Sequence, residues 1–164
     1  MKKILQKILF ILAVRILRRY TPTIVGITGS VGKTSTKEAV YTVLRWKFLV
    51  RKSEGNFNNE IGVPLTILGL PHCGKNIFCW AMGFFRVFFR LIVHDRAYPE
   101  ILILEMGADH PGDIDYLVRL APAHIGIITA IGKVPVHVEF YSGPEEIAKE
   151  KNKLILALPS DGLV

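Results

Sequence analysis

Ile24-Val25-Gly26-Ile27-Thr28-Gly29-Ser30-Val31-Gly32-Lys33-Thr34-Ser35-Thr36 is the stretch on which the reading of this chain turns. A short apolar run stops in a turn containing Gly29 and Gly32, then restarts with residues that suit a helix, so it predicts strand, tight turn, helix. The glycines let the main chain close around an anion and aim N–H groups at it. The helix that follows presents its positive end to the same point. Lys33 supplies a point charge for outer phosphates, and the Thr34 hydroxyl suits a magnesium ion. Thr28, Gly29, Ser30, Val31, Gly32, Lys33, Thr34 and Ser35 are therefore the expected phosphate-binding residues. The spacing is T-G-S-V-G-K-T, with Ile27 where the commoner G-x-x-x-x-G-K-[ST] pattern has its first glycine. The bland alternative, a turn that binds nothing, does not explain a glycine pair followed directly by Lys-Thr.

Further along, Glu100-Ile101-Leu102-Ile103-Leu104-Glu105 reads as a buried strand ending in a carboxylate. At the carboxyl end of a parallel strand beside a phosphate-binding turn, Glu105 stands where another magnesium contact belongs. Without that turn it would be an ordinary strand-terminal glutamate.

The rest of the chain alternates. Thr23–Thr28 is the first strand, Lys33 to about Trp46 a helix, and Phe48-Leu49-Val50 a second strand. The loop 53–60, rich in asparagine, has turn composition, and a helix with Pro64 in its first turn follows. A helix from His110 to about Ala121, a strand from Ala123 to Ala130 and a charged helix from Pro144 to about Leu158 complete the pattern, with Leu163-Val164 opening another strand. Strand and helix in alternation predict an α/β fold of the P-loop NTPase kind, a mainly parallel sheet with flanking helices. Its ligand belongs outside the carboxyl ends of the strands.

Two segments stand apart. Residues 1–21 form a basic amphipathic helix: Lys3, Lys7, Arg15 and Arg18 share one face, and Leu5, Leu9, Leu12 and Ile16 the other. Such a helix suits peripheral contact with an anionic membrane, or packs its leucine face on the domain at 22–164. Its apolar core is shorter than the roughly 20 residues a membrane span needs. Residues 76–93 are the least polar part, with Arg86 and Arg90 one turn apart. This segment docks on a membrane beside the first helix or is buried against a neighbour.

With 164 residues, half of them apolar, the chain has enough material for one well-packed domain. The net charge of +7 favours anionic partners. That charge is not gathered into a nucleic-acid stripe, so no nucleic-acid partner is expected. Cys73 and Cys79 imply neither a metal site nor a disulfide framework, and a reducing cytoplasm is the default location.

Four motifs in order, T-G-S-V-G-K-T-S-T-K-E, N-F-N-N-E-I-G-V-P-L-T, L-E-M-G-A-D-H-P-G-D-I and H-V-E at 137–139, resemble the Mur ligases. The likeness is to the branch that adds D-alanyl-D-alanine to a UDP-N-acetylmuramoyl tripeptide in peptidoglycan synthesis, and it covers residues 23–164. It implies ATP-dependent amide-bond formation through an acyl phosphate, with ATP and Mg2+ as cofactors. It also implies that Gly29, Gly32 and Lys33 hold the ATP phosphates, that Thr34 and Glu105 bind one magnesium, and that His137 binds a second. Asn58 and Asn59 would line the junction of γ-phosphate and substrate. Lys151 would be a catalytic, carbamylated metal ligand, or else a helix-surface cation.

Three points depart from that family. About twenty basic and apolar residues stand where it has a UDP-sugar domain, the chain stops in mid-fold at Val164, and His124 replaces a usually acidic residue. As given, the chain is expected to bind nucleotide weakly and not to complete ligation. The competing readings are a folylpolyglutamate synthase, disfavoured by Arg51–Asn56, and a membrane-associated P-loop protein that binds nucleotide without ligating.

Overall fold

The computed structural model describes residues 2–131 and 140–164. In chain order the elements are α1 (Lys2–Tyr20), β1 (Thr23–Thr28), α2 (Lys33–Leu44), β2 (Val50–Lys52), α3 (Gly62–Leu68), α4 (Ile77–Ile92), β3 (Ile101–Glu105), α5 (Asp113–Leu120), β4 (Ile125–Ile128) and α6 (Pro144–Leu156). Among the described residues the sheet has four strands in the order β2-β3-β1-β4, and every pair is parallel. The expected α/β architecture is therefore present.

The sheet carries a different helical layer on each face, as alternating side chains require. Val25, Ile27, Ile101 and Ile103 point to one face, where Val40, Tyr41 and Leu44 of α2 cover them. Ile24, Leu102 and Leu104 point to the other, into a larger core with α3, α5 and α6. Two strand glycines let α6 come close. A Cβ on Gly26 would sit 2.9 Å from Leu154 Cδ1, and one on Gly126 2.9 Å from Ile155 Cδ1. Every residue of α3 is buried, and α1 packs over it.

Several boundaries move by a few residues for visible reasons. The carbonyl of Leu49 accepts the N–H groups of Glu100 and Ile101, and the β2 ladder runs Val50–Lys52, two residues beyond the expected Phe48–Val50. Pro111 and Gly112, the latter at φ +95°, precede α5, which starts at Asp113 rather than His110. Past β4, Ala130 turns away to bridge Val31. Leu163 forms an isolated parallel bridge with Ile125, as expected of an incipient strand.

Helix α1 follows the intramolecular alternative: Leu9, Ala13 and Ile16 are buried in the main core, with Leu5 and Leu12 packed against it. Arg19 donates to the Ile92 carbonyl at 3.1 Å, and the Tyr20 hydroxyl to the Arg90 carbonyl at 2.9 Å, which sets α1 alongside α4. Among the described residues no helix is long and apolar enough to cross a membrane.

The cysteines correct an expectation. Cys73 and Cys79 are joined in a disulfide, with Cα atoms 5.6 Å apart. Asn76, midway between them, caps α4 by accepting the Cys79 N–H at 3.0 Å, and this turn folds the two sulfurs together. His124 also gains an explanation. Its Nδ1 accepts the Ile24 N–H at 3.0 Å, closing the start of β1 against the segment entering β4.

Candidate functional site: a phosphate-binding turn beside a buried carboxylate

Strand β1 runs through the middle of the sheet and its end is fully buried, so the turn at 29–32 opens at the carboxyl edge as expected. Gly29 has φ +146° and Gly32 φ +90°. A Cβ at Gly29 would fall 1.9 Å from Thr129 Oγ1, so the loop tolerates no side chain there. Gly32 hands over directly to α2, whose first N–H groups have no intrahelical acceptor and point out of the turn.

Not every expected amide faces that opening. Ser30 and Val31 donate their N–H groups to the Ala130 carbonyl at 3.0 and 3.2 Å. Thr28 is fully buried: its hydroxyl donates to the Met106 carbonyl at 2.8 Å, tying β1 to β3. Thr28 and Val31 therefore shape the turn, whereas Ser30 and Lys33 line the hollow beside it. Ser35 is exposed in the first turn of α2.

That hollow, about 170 Å³, is lined among others by Gly29, Ser30, Lys33, Asn58, Asp109 and Lys151. Lys33 Nζ folds back to donate to the Gly29 carbonyl at 2.9 Å. Lys151, reaching in from α6, donates to Ser30 Oγ at 3.1 Å. Burial first, and then the charge of Lys33, push the Lys151 amine down to about 8, while Asp109 acts the other way. Two lysine amines lining one hollow favour an anion there. The surface-cation alternative for Lys151 is excluded, since the residue is buried.

At the end of β3 the carboxylate of Glu105 is almost fully buried. Thr34 Oγ1 donates to its Oε2 at 3.2 Å, so the two side chains expected to share a magnesium ion do converge. Lys37 Nζ lies 3.2 Å from the same oxygen, buried with it. Ser53 Oγ accepts the Glu105 N–H at 3.1 Å and fixes the strand end. A hydroxyl and a carboxylate are the hard oxygen donors magnesium prefers, with phosphate and water completing its shell. Among the described residues there is no cluster of three His, Cys, Asp or Glu side chains.

The two asparagines part company. Asn58 lines the hollow, and its carbonyl accepts the Gly107 N–H at 2.7 Å. Asn59 turns its Oδ1 to the N–H groups of Ile61 and Gly62, at 3.2 and 3.0 Å, and caps the start of α3 instead. His137 lies outside the described residues. Sequence reasoning missed Lys37, Ser53 and Asp109. For Lys37 a signal existed, since it stands three residues after Thr34 and four after Lys33, on the same helix face.

The family model described as Mur ligase middle domain matches residues 27–86 and 88–164. The UDP-N-acetylmuramoyl-tripeptide–D-alanyl-D-alanine ligase of Bacillus subtilis is 36% identical over 141 residues, covering 86% of this chain and 25% of the relative. The ligase of the same description from Mycobacterium tuberculosis is 37% identical over 142 residues, covering 87% and 22%. Among solved structures, MurF ligase from Thermotoga maritima in complex with ADP aligns with TM-score 0.69 and 33% identity, over 93% of this chain and 30% of that one. MurF from Acinetobacter baumannii aligns with TM-score 0.72 and 25% identity, over 96% and 29%. The chain spans about a quarter of the length of the curated relatives it matches.

Proposed function

The chain belongs to the Mur ligase family by its middle domain, and on that premise we propose that it forms the nucleotide-binding part of an ATP-dependent amide ligase. By the names of its relatives, the reaction is the addition of D-alanyl-D-alanine to a UDP-N-acetylmuramoyl tripeptide. The observation that carries the reading is the convergence of Thr34 and Glu105, 3.2 Å apart, beside a glycine turn and two inward-reaching lysines.

In this reading Lys33 exchanges the Gly29 carbonyl for the outer phosphates of ATP, and the N-terminal amides of α2 share their charge. Thr34 and Glu105 would hold a magnesium ion, which when bound would supply positive charge to neutralise the phosphates. A tripeptide carboxylate oxygen attacks the γ-phosphorus, the bond to the β–γ bridging oxygen breaks, and ADP departs. The amine of D-alanyl-D-alanine then attacks the acyl carbon, phosphate leaves with the bonding electrons, and the amine loses a proton. Asn58, which lines the same hollow as Lys33, donates its amide where γ-phosphate and substrate meet. Because its amine is held near 8, Lys151 has an appreciable neutral fraction, the form required to take up carbon dioxide as a carbamate. A second magnesium site would fall to His137, which lies outside the described residues, and Asn59 acts on the substrate only through the start of α3.

The test is phosphate release by the complete protein with ATP, UDP-N-acetylmuramoyl tripeptide and D-alanyl-D-alanine. Turnover that needs all three, with a product mass equal to tripeptide plus dipeptide less one water, is the expected outcome. ATP hydrolysis indifferent to both acceptors would overturn the ligase assignment.

A further inference from the structure

The outward half of α4 is apolar where a helix on a soluble protein is ordinarily polar. Ile77, Phe78, Phe85, Phe88, Phe89 and Ile92 are each 56–83% exposed. The buried half is built from smaller groups, Gly83 and Val87. Beside it, α1 turns a second stripe outward: Ile4, Ile8 and Ile11, followed at helical spacing by exposed Arg15 and Arg18. A hollow of about 430 Å³ opens at the end of α4, walled by Phe85, Phe89 and Val93 and edged by Arg86 and Arg96, its one acid, Asp95, being paired with Arg90 at 3.0 Å.

Charge decides what covers this surface. Neither α1 nor α4 contains a single Asp or Glu, although the chain has 14, whereas the two helices carry eight Lys and Arg. We propose that α4 and the outward stripe of α1 form one docking surface for an anionic phospholipid bilayer. The phenylalanines enter the interface, and Arg15, Arg18, Arg86 and Arg96 meet the phosphates. A second copy of the chain is disfavoured as the occupant, because pairing this face with itself would oppose two acid-free, cationic helix pairs. The contact is peripheral, since no described helix is long and apolar enough to span. No residue of α1 or α4 lines the hollow beside Lys33, so the proposal stands independently of the nucleotide site.

Flotation of the intact chain with phosphatidylcholine vesicles, with and without phosphatidylglycerol, tests it. The expected result is binding that requires phosphatidylglycerol and weakens with salt. It should fall at least about tenfold in Phe85→Ser/Phe89→Ser and in Arg15→Glu/Arg18→Glu. These side chains are exposed, and circular dichroism checks that each variant keeps its helices. Failure to float with phosphatidylglycerol vesicles at low salt, or undiminished binding by both variants, overturns the proposal. So does a dimer in sedimentation that Phe85→Ser/Phe89→Ser abolishes while vesicle binding is absent.

Discussion

Replacing Lys37 by methionine tests whether Glu105 depends on its neighbour. The ammonium and the carboxylate are 3.2 Å apart, with side chains 1% and 5% exposed. At that distance an effective dielectric of about 20 gives an attraction of roughly 5 kcal/mol. Desolvating both ions offsets much of this, so the intact pair adds little to net stability. Removing one partner is another matter, because the remaining ion stays buried and unneutralised. Lys37→Met should therefore lower unfolding free energy by about 3–5 kcal/mol, a large share of the roughly 5–15 kcal/mol typical of a domain. Glu105→Gln should cost a similar amount for the opposite reason. The double variant Lys37→Met/Glu105→Gln, with no charge left to neutralise, should return to within about 1–2 kcal/mol of the starting protein. Urea denaturation followed by circular dichroism measures all four corners of the cycle. Single costs below about 1 kcal/mol that simply add in the double variant would refute a coupled buried pair.

Lys151 predicts a pH dependence. Its amine lies near 8 in the fold and near its ordinary 10.5 when unfolded. Between those values the unfolded chain binds more protons, so stability should rise with pH through that window and level off above it. Wild type should gain about 1–2 kcal/mol there relative to Lys151→Met, allowing for solvent screening. Parallel or diverging-downward stability curves would contradict this. Gly29→Ala must move the turn, since the new Cβ would meet Thr129 Oγ1 at 1.9 Å. A loss of about 2–3 kcal/mol is expected, partly restored by adding Thr129→Ala, and a neutral Gly29→Ala would refute the contact in thermal denaturation. Reducing the Cys73–Cys79 bridge, which spans six positions, should lower stability by no more than about 2 kcal/mol. Unfolding on addition of reductant at room temperature would show it carries more.

What could be read before folding was whatever local geometry dictates. The turn at Gly29 and Gly32 announces itself because few residues tolerate those backbone angles and because Lys-Thr follows at once. Glu105 was legible as the polar end of an apolar strand. For Lys37 only the helix face was legible, not its partner: a lysine on a helix ordinarily reaches solvent, and only the parallel pairing of β1 with β3 brings Glu105 under α2. Adjacent residues with one chemistry were also indistinguishable. Asn58 and Asn59 are separated by a backbone turn that sends one to the hollow and the other to α3. Helix α4 concealed its orientation because both halves are apolar. Close approach settles it, since a Cβ at Gly83 would meet Leu70 at 3.2 Å, and only a near-bare face fits there. The disulfide depended on the Asn76 cap, which folds a short separation back on itself.

Calorimetric titration of Mg2+-ADP into the protein and into Lys33→Ala shows whether the turn after β1 holds the phosphates. Wild type should bind, Lys33→Ala should bind at least about a hundredfold more weakly, and wild type should lose affinity when magnesium is withheld. Equal affinity in both proteins, with no dependence on magnesium, would show that the turn after β1 does not hold the phosphates.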